Sequence, residues 1–196
     1  MDAAALLRPG LLAGRTIALG GGSAAGSPLA ALGATTAALP ATLDEDDAAA
    51  HVRGALTAHG RVDALVHDLR PAFAGGGADA LRATLELAWV TIRAVANEAF
   101  IPGARGGRAI LLAPSPGPGP GGEADADAGT AEAARAAAEN LARTLSIEWA
   151  RHQITTVAVA PGARTTDDEL AALTAYLASP AGDYFSGTRL SLGELR

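Results

Sequence analysis

A run of glycines and small residues, Gly20-Gly21-Gly22-Ser23-Ala24-Ala25-Gly26-Ser27, is the first stretch whose composition could do chemistry. Bare backbone amides in such a loop can cradle a phosphate, although a glycine loop on its own also serves as a tight turn. His67-Asp68 and, much later, Ser115 offer the residue types of a base, an orienting carboxylate and a nucleophile. Nothing around Ser115 resembles the strained turn that presents such a serine, so these read better as loop residues than as a hydrolytic triad. His51, His59 and His152 are scattered without metal-ligand spacing. Cysteine is absent, which removes thiolate nucleophiles, thiolate zinc sites and disulfides. Lysine is absent too: all 15 basic side chains are arginine, so neither Schiff-base chemistry nor a lysine relay is available.

The elements that must position these residues alternate between strand and helix. Thr16 to Leu19 is a short apolar strand running into the glycine loop, and a helix follows from about Pro28 to Leu32. Thr35 to Leu39 is a second strand. The acidic run Asp44-Glu45-Asp46-Asp47 opens a helix to about His59, its carboxylates matched to the positive end. Ala64 to His67 is a buried strand, and Leu81 to Phe100 a long helix with Leu81, Leu85, Ala88, Trp89, Ile92 and Val95 at helical spacing. Ala109 to Ala113 is the next strand. From Pro114 to Gly122 alternating Pro and Gly forbid helix and sheet, and the acidic stretch Glu123 to Asp127 reads as a solvated linker after them. An Ala-rich helix from about Thr130 to Arg151 carries the stripe Ala138, Leu141, Leu145 and Trp149. Strand Thr156 to Val159, helix Asp167 to Leu177 and strand Thr188 to Leu192 complete the chain.

This order calls for one α/β domain over residues 1–196, a parallel sheet covered on both faces. Ligands in such sheets sit beyond the carboxyl ends of the strands, which singles out the residues after Leu19, His67, Ala113 and Val159. The net charge of -6 disfavours nucleic acid as a partner. No apolar run is long enough to span a bilayer, and the acid in Met1-Asp2-Ala3 does not suit a signal peptide, so a cytoplasmic protein is expected.

Several segments together resemble the short-chain dehydrogenase/reductase family. Gly22 to Gly26 resembles its phosphate loop, T-G-x-x-x-G-x-G; His59 to Val66 resembles the approach to its N-N-A-G motif; Gly107 to Leu112 resembles the strand that ends at its catalytic serine. Ile154 to Gly162 resembles the strand and P-G turn after it, and Tyr176 to Gly187 the closing helix-loop-strand. The resemblance implies a three-layer Rossmann-type, doubly wound parallel sheet of about six strands. Part of the dinucleotide half, the second strand and following helix, is missing, as is the lid that the family inserts after Arg164-Thr165-Thr166.

The resemblance also implies where catalysis should lie. The family's Ser, Tyr and Lys fall on Pro114 (with Ser115 one residue late), Ala131 and Arg135, and its supporting Asn on Ala88. N-N-A-G reads His67-Asp68-Leu69-Arg70. Ala131 has no proton to give, and a guanidinium cannot relay one. Of the cofactor loop, Gly20, Gly21, Gly22, Ser23 and Gly26 remain as vestiges, with Pro28 in place of the third glycine. No cofactor is expected, and weak residual NAD(P) binding is the most this loop would keep. The resemblance therefore implies a catalytically inactive pseudo-subunit paired with an active reductase paralogue of a biosynthetic pathway, or with itself, through the two long helices and the last strand. Trp89, Ile92, Leu141, Leu145, Trp149, Tyr184 and Phe185 are the candidate interface residues, and the tail Gly193 to Arg196 a further contact. The alternatives are a cofactor-independent lyase or dehalogenase using Arg135, and a nucleotide-sensing module.

Overall fold

The structure is a computed structural model, and it describes residues 6–22, 25–74, 76–116 and 124–193, with the side chains of 124–127 excepted. Ser23, most of the Pro/Gly stretch and the tail beyond Gly193 lie outside the described residues. Six strands form one parallel sheet: β1 Thr16–Gly20, β2 Thr35–Leu39, β3 Ala64–Asp68, β4 Gly107–Leu112, β5 Ile154–Ala160 and β6 Thr188–Ser191. Their order is β2-β1-β3-β4-β5-β6, so the chain reverses direction of travel across the sheet between β2 and β3. That crossing point, next to the end of β1, is where a doubly wound sheet opens its cleft.

Alternate residues of each strand feed two different cores, as the period of two requires. In β4, Ala109 and Leu111 join the layer made by α2 (Glu45–His59), α3 (Gly77–Val95) and α4 (Ala124–Glu148), with Val52, Ile92, Val95, Ala138 and Leu145. Ile110 and Leu112 join the opposite layer, made by α1 (Gly26–Ala31) and α5 (Asp167–Ala178), with Leu29, Leu170 and Leu177. Burial on both faces explains why the strands read as continuous apolar runs rather than alternating ones.

Local chemistry sets the helix ends. Asp44 caps α2 by accepting from the Asp47 amide at 2.9 Å, and Gly60, at φ 75°, closes it with its amide on Leu56. Thr166 and Glu169 form a reciprocal capping box at α5. Arg93 on α3 holds Glu45 on α2 through two hydrogen bonds of 2.7 and 2.8 Å.

Several boundaries differ from the sequence reading. The long third helix begins at Gly77 and widens into a π turn over Ala96–Phe100, which seats the Phe100 ring against Gly107, where a Cβ would lie 2.3 Å from the ring. α4 begins at Ala124, six residues before the expected Thr130, so the acids from Asp125 belong to the opening turns of a helix rather than to a linker. Carboxylates at a helix start favour the extension. β1 and β3 each run one residue further than expected, to Gly20 and Asp68, which brings both residues into the sheet's carboxyl rim. Between Ala160 and Asp167 the chain makes only a turn, in keeping with the missing lid.

Candidate functional site

At the carboxyl rim, β1 gives way to Gly20-Gly21-Gly22. A Cβ on Gly20 would sit 2.1 Å from His67 Nδ1, and one on Gly21, where φ is 73°, would sit 2.0 Å from the Asp68 carbonyl. Both glycines are therefore required by the neighbouring strand, irrespective of any ligand. The helix beyond them has six residues, no side-chain cap, and Pro28 within it. It offers fewer amides and a smaller dipole than a full phosphate-binding helix.

His67 lies inside the sheet, 1% exposed, with neither ring nitrogen hydrogen-bonded among the described residues. Burial pushes its pKa down to about 4, so the ring is neutral at physiological pH. Asp68, equally buried, turns away from it. Its carboxylate accepts from the Arg70 amide at 3.1 Å, Arg70 Nε at 2.9 Å and Arg70 Nη2 at 2.8 Å. Arg70 Nη1 then reaches Asp167 at the start of α5, 2.6 Å away. These hydrogen bonds, that with Asp68 first, hold the guanidinium pKa above its ordinary value. Ser115 is exposed, and no hydrogen bond links it to His67 or Asp68 among the described residues. The triad types do not assemble. His51 and His59 both lie on α2, about two turns apart, and His152 lies in the turn before β5; no group of three metal-ligating side chains occurs among the described residues.

Arg135, on α4, is the second cation of this rim and, unlike the partly exposed Arg70, is buried. One guanidinium nitrogen, Nη1, donates to the carbonyls of Pro114 and Pro161, each at 2.8 Å, tying together the chain as it leaves β4 and β5. Nε lies 3.0 Å from Glu132 Oε1, an ion pair whose angle falls outside hydrogen-bond geometry. Burial lowers the Arg135 pKa, the Glu132 charge working against it. One turn earlier Ala131, 2% exposed, packs with Phe73 and Ala134 in a small apolar cluster flanked by Ala80 and Leu81. Ala88 is fully buried in the main core.

No protein-family model and no curated protein matches the chain. Solved structures do. A citronellol catabolism dehydrogenase of Pseudomonas aeruginosa PAO1 is similar with a TM-score of 0.75 at 24% identity, over 95% of this chain and 96% of that one. A short chain dehydrogenase of Mycobacterium smegmatis gives 0.75 at 21% identity over 95% of both chains. A hydroxysteroid dehydrogenase of Escherichia coli gives 0.73 at 20% identity, over 93% of this chain and 97% of that one. The fold is that of the short-chain dehydrogenases/reductases.

Within that short-chain dehydrogenase fold, some of the positions singled out from the sequence lie in contact with one another. Pro114 and Arg135 touch, Ala131 lies one helical turn from Arg135, Gly20 borders His67 and Gly21 borders Asp68, while Gly22 has open space around it. The set named for an interface divides. Ile92 and Leu145, each 1% exposed, belong to the chain's own core and cannot meet a partner. They face the sheet because the apolar stripe of each helix is wide enough to cover it. Leu141 and Trp149 are partly buried against that same core, and Phe185 packs against the opposite layer and edge-on to Tyr176, 6.1 Å between ring centres. Trp89 at 39% and Tyr184 at 89% exposure face outward. Four further exposed apolar side chains lie outside that set: Ile147 on α4, 75% exposed, Tyr176 on α5, Leu6 and Leu43. A β-branched aliphatic two residues from both Leu145 and Trp149, and so on the helix face away from the α4 stripe, was the signal for the first. The Arg70–Asp167 link escaped the sequence reading, since nothing local pairs residues so distant in the chain. No helix among the described residues is long and apolar enough to cross a membrane.

Proposed function

We propose that the chain is a non-catalytic subunit with the short-chain dehydrogenase fold that pairs with a catalytically complete reductase, or with itself, across α3, α4 and β6. The observation that carries this reading is the filling of the proton-relay position. Ala131 is packed into an apolar cluster with Phe73, and Arg135 has two strand-end carbonyls as its partners. Carbonyl reduction requires a group that delivers a proton to the substrate oxygen as hydride arrives. Among the described residues of this rim the titratable groups are a buried neutral His67, three carboxylates held in ion pairs, Asp68 and Asp167 with Arg70 and Glu132 with Arg135, and those two guanidinium groups, none of which stands free to do so.

What supports pairing is the outer surface. Trp89 and Ile147 stand exposed on the two long helices, and β6 is an edge strand whose outer side has no partner within the sheet. An enzyme that gains such a subunit keeps its own chemistry and acquires a neighbour that steadies it or shapes its pocket. The contacts of Arg135 weigh against a lyase or dehalogenase that would need its charge free, and the six-residue α1 weighs against a nucleotide sensor. The test is co-expression with a reductase of the same fold carrying an intact Y-x-x-x-K, followed by size-exclusion chromatography. Co-elution in a fixed ratio supports the reading, as does a homodimer when the chain is expressed alone. A monomer under both conditions overturns it.

A further inference from the structure

The opposite rim of the sheet holds a feature that subunit pairing does not use. Because all six strands run parallel, the residues just before each strand gather at one edge. Arg15 precedes β1, Arg61 and Asp63 precede β3, and Arg105 precedes β4; Arg108 is the second residue of β4. They line a cavity of about 260 Å³ together with Asp183.

The charges of this cavity do not cancel. Asp63 is fully engaged: its carboxylate accepts from the Thr16 amide at 2.8 Å and from Arg61 Nε at 2.8 Å. Asp183 pairs with Arg108, whose Nη1 also donates to the Ala178 carbonyl at 2.9 Å. That leaves the guanidinium groups of Arg15 and Arg105 without an ion-pair partner among the described residues, an excess of two positive charges in a chain of net charge -6. Arg108 is the buried member. Its side chain is 9% exposed and its Nε is enclosed without a hydrogen-bond partner. Burial first, and the nearby Arg15 charge second, lower its pKa to about 10. Like charges held this close, one of them desolvated, raise the free energy of the empty cavity and are relieved by an anion.

We propose that this cavity is a binding site for a phosphate dianion, free or as the monoester of a small polar molecule. Guanidinium groups converging from several strands provide the forked donors that phosphate oxygens take. An open groove of about 630 Å³ continues from the cavity, shares Arg105, Gln153, Thr155 and Asp183 with it, and adds Ser146 and Ser186. It gives an esterified phosphate a polar bed for its organic part. The site lies at the amino ends of the strands, across the full length of the sheet from the glycine loop.

Titration of the ¹⁵N-labelled full chain tests this, with inorganic phosphate and glycerol phosphate added in turn at constant ionic strength set by chloride. Saturable movement of the Arg105, Gly106, Gly107 and Gln153 amide signals is expected. Glycerol phosphate should in addition move Ser146 and Ser186 and bind more tightly if the ligand is an ester; equal affinities identify the free anion. Arg105→Ala, at an exposed position, should keep the spectrum dispersed and weaken binding about ten-fold, the loss of one charge-assisted contact. Asp183→Asn should tighten it by removing the carboxylate that competes for Arg108. Absence of movement up to tens of millimolar, movement confined to Gly20 to Gly22, or equal affinity in wild type and Arg105→Ala would overturn the proposal.

Discussion

His67 offers a sharp test of how the rim is built. The imidazole is enclosed between β1 and β4 with both nitrogens unpartnered, and its pKa falls from 6.5 to about 4. In the unfolded chain the ring takes a proton near its ordinary value, whereas the folded protein resists until about pH 4. Between those values the unfolded state binds more protons, so stability is fully present above pH 6.5, declines as the pH falls toward about 4, and levels off below. The linked loss is about 3 kcal/mol, from about 1.4 kcal/mol for each unit of displacement. His67→Leu removes both the titration and two unsatisfied buried nitrogens at similar volume, so at pH 7 it should cost under about 1.5 kcal/mol or stabilise the fold. Urea denaturation of both proteins from pH 8 to pH 4 reads the effect. Carboxylates elsewhere contribute equally to the two curves, so the difference between them isolates His67. If the variant loses as much stability on acidification as the wild type, the ring is not held neutral, and the reasoning about this rim fails.

Arg70→Ala should destabilise the protein by about 3 kcal/mol, because it leaves the Asp68 carboxylate buried without its cation; Asp68→Asn in the same background should recover part of that loss in thermal melts. Arg135→Met should cost about 2 kcal/mol, through the two proline carbonyls it leaves without donors, as measured by urea unfolding. Ile147→Glu, at 75% exposure, should change monomer stability by less than about 0.5 kcal/mol, and Trp89→Glu, at 39%, should cost about 1–2 kcal/mol, while both abolish association in sedimentation velocity. Association that survives both substitutions would move the interface away from α3 and α4.

Much of this architecture was legible in the sequence because the strands are buried on both faces. Ala64 to Val66 and Ala109 to Leu112 could only be interior strands, and the acids at Asp44 to Asp47 could only begin a helix. The π turn at Ala96 was not legible, since its cause is the packing of Phe100 against Gly107, a contact between elements. The early start of α4 was missed for a different reason: the proline and glycine before it suggested that the irregular segment continued. At the candidate site the residue types at Ala131 and Arg135 were readable from the resemblance, but their partners were not. Arg135 meets Pro114 and Pro161, and Arg70 meets Asp167, across distances in sequence that no local pattern encodes. Ile92 and Leu145 show the limit of a helical stripe, which marks an apolar face without saying whether the sheet or a second subunit covers it.

The central proposal is that no side chain among the described residues of the carboxyl rim can hand a proton to a substrate oxygen. Its most direct test is cofactor oxidation by the purified, partner-free chain, followed spectrophotometrically with NADPH and NADH against a panel of ketones. Rates indistinguishable from buffer across the panel are predicted. Turnover that rises in proportion to protein concentration and copurifies with the chain through successive columns would contradict the account.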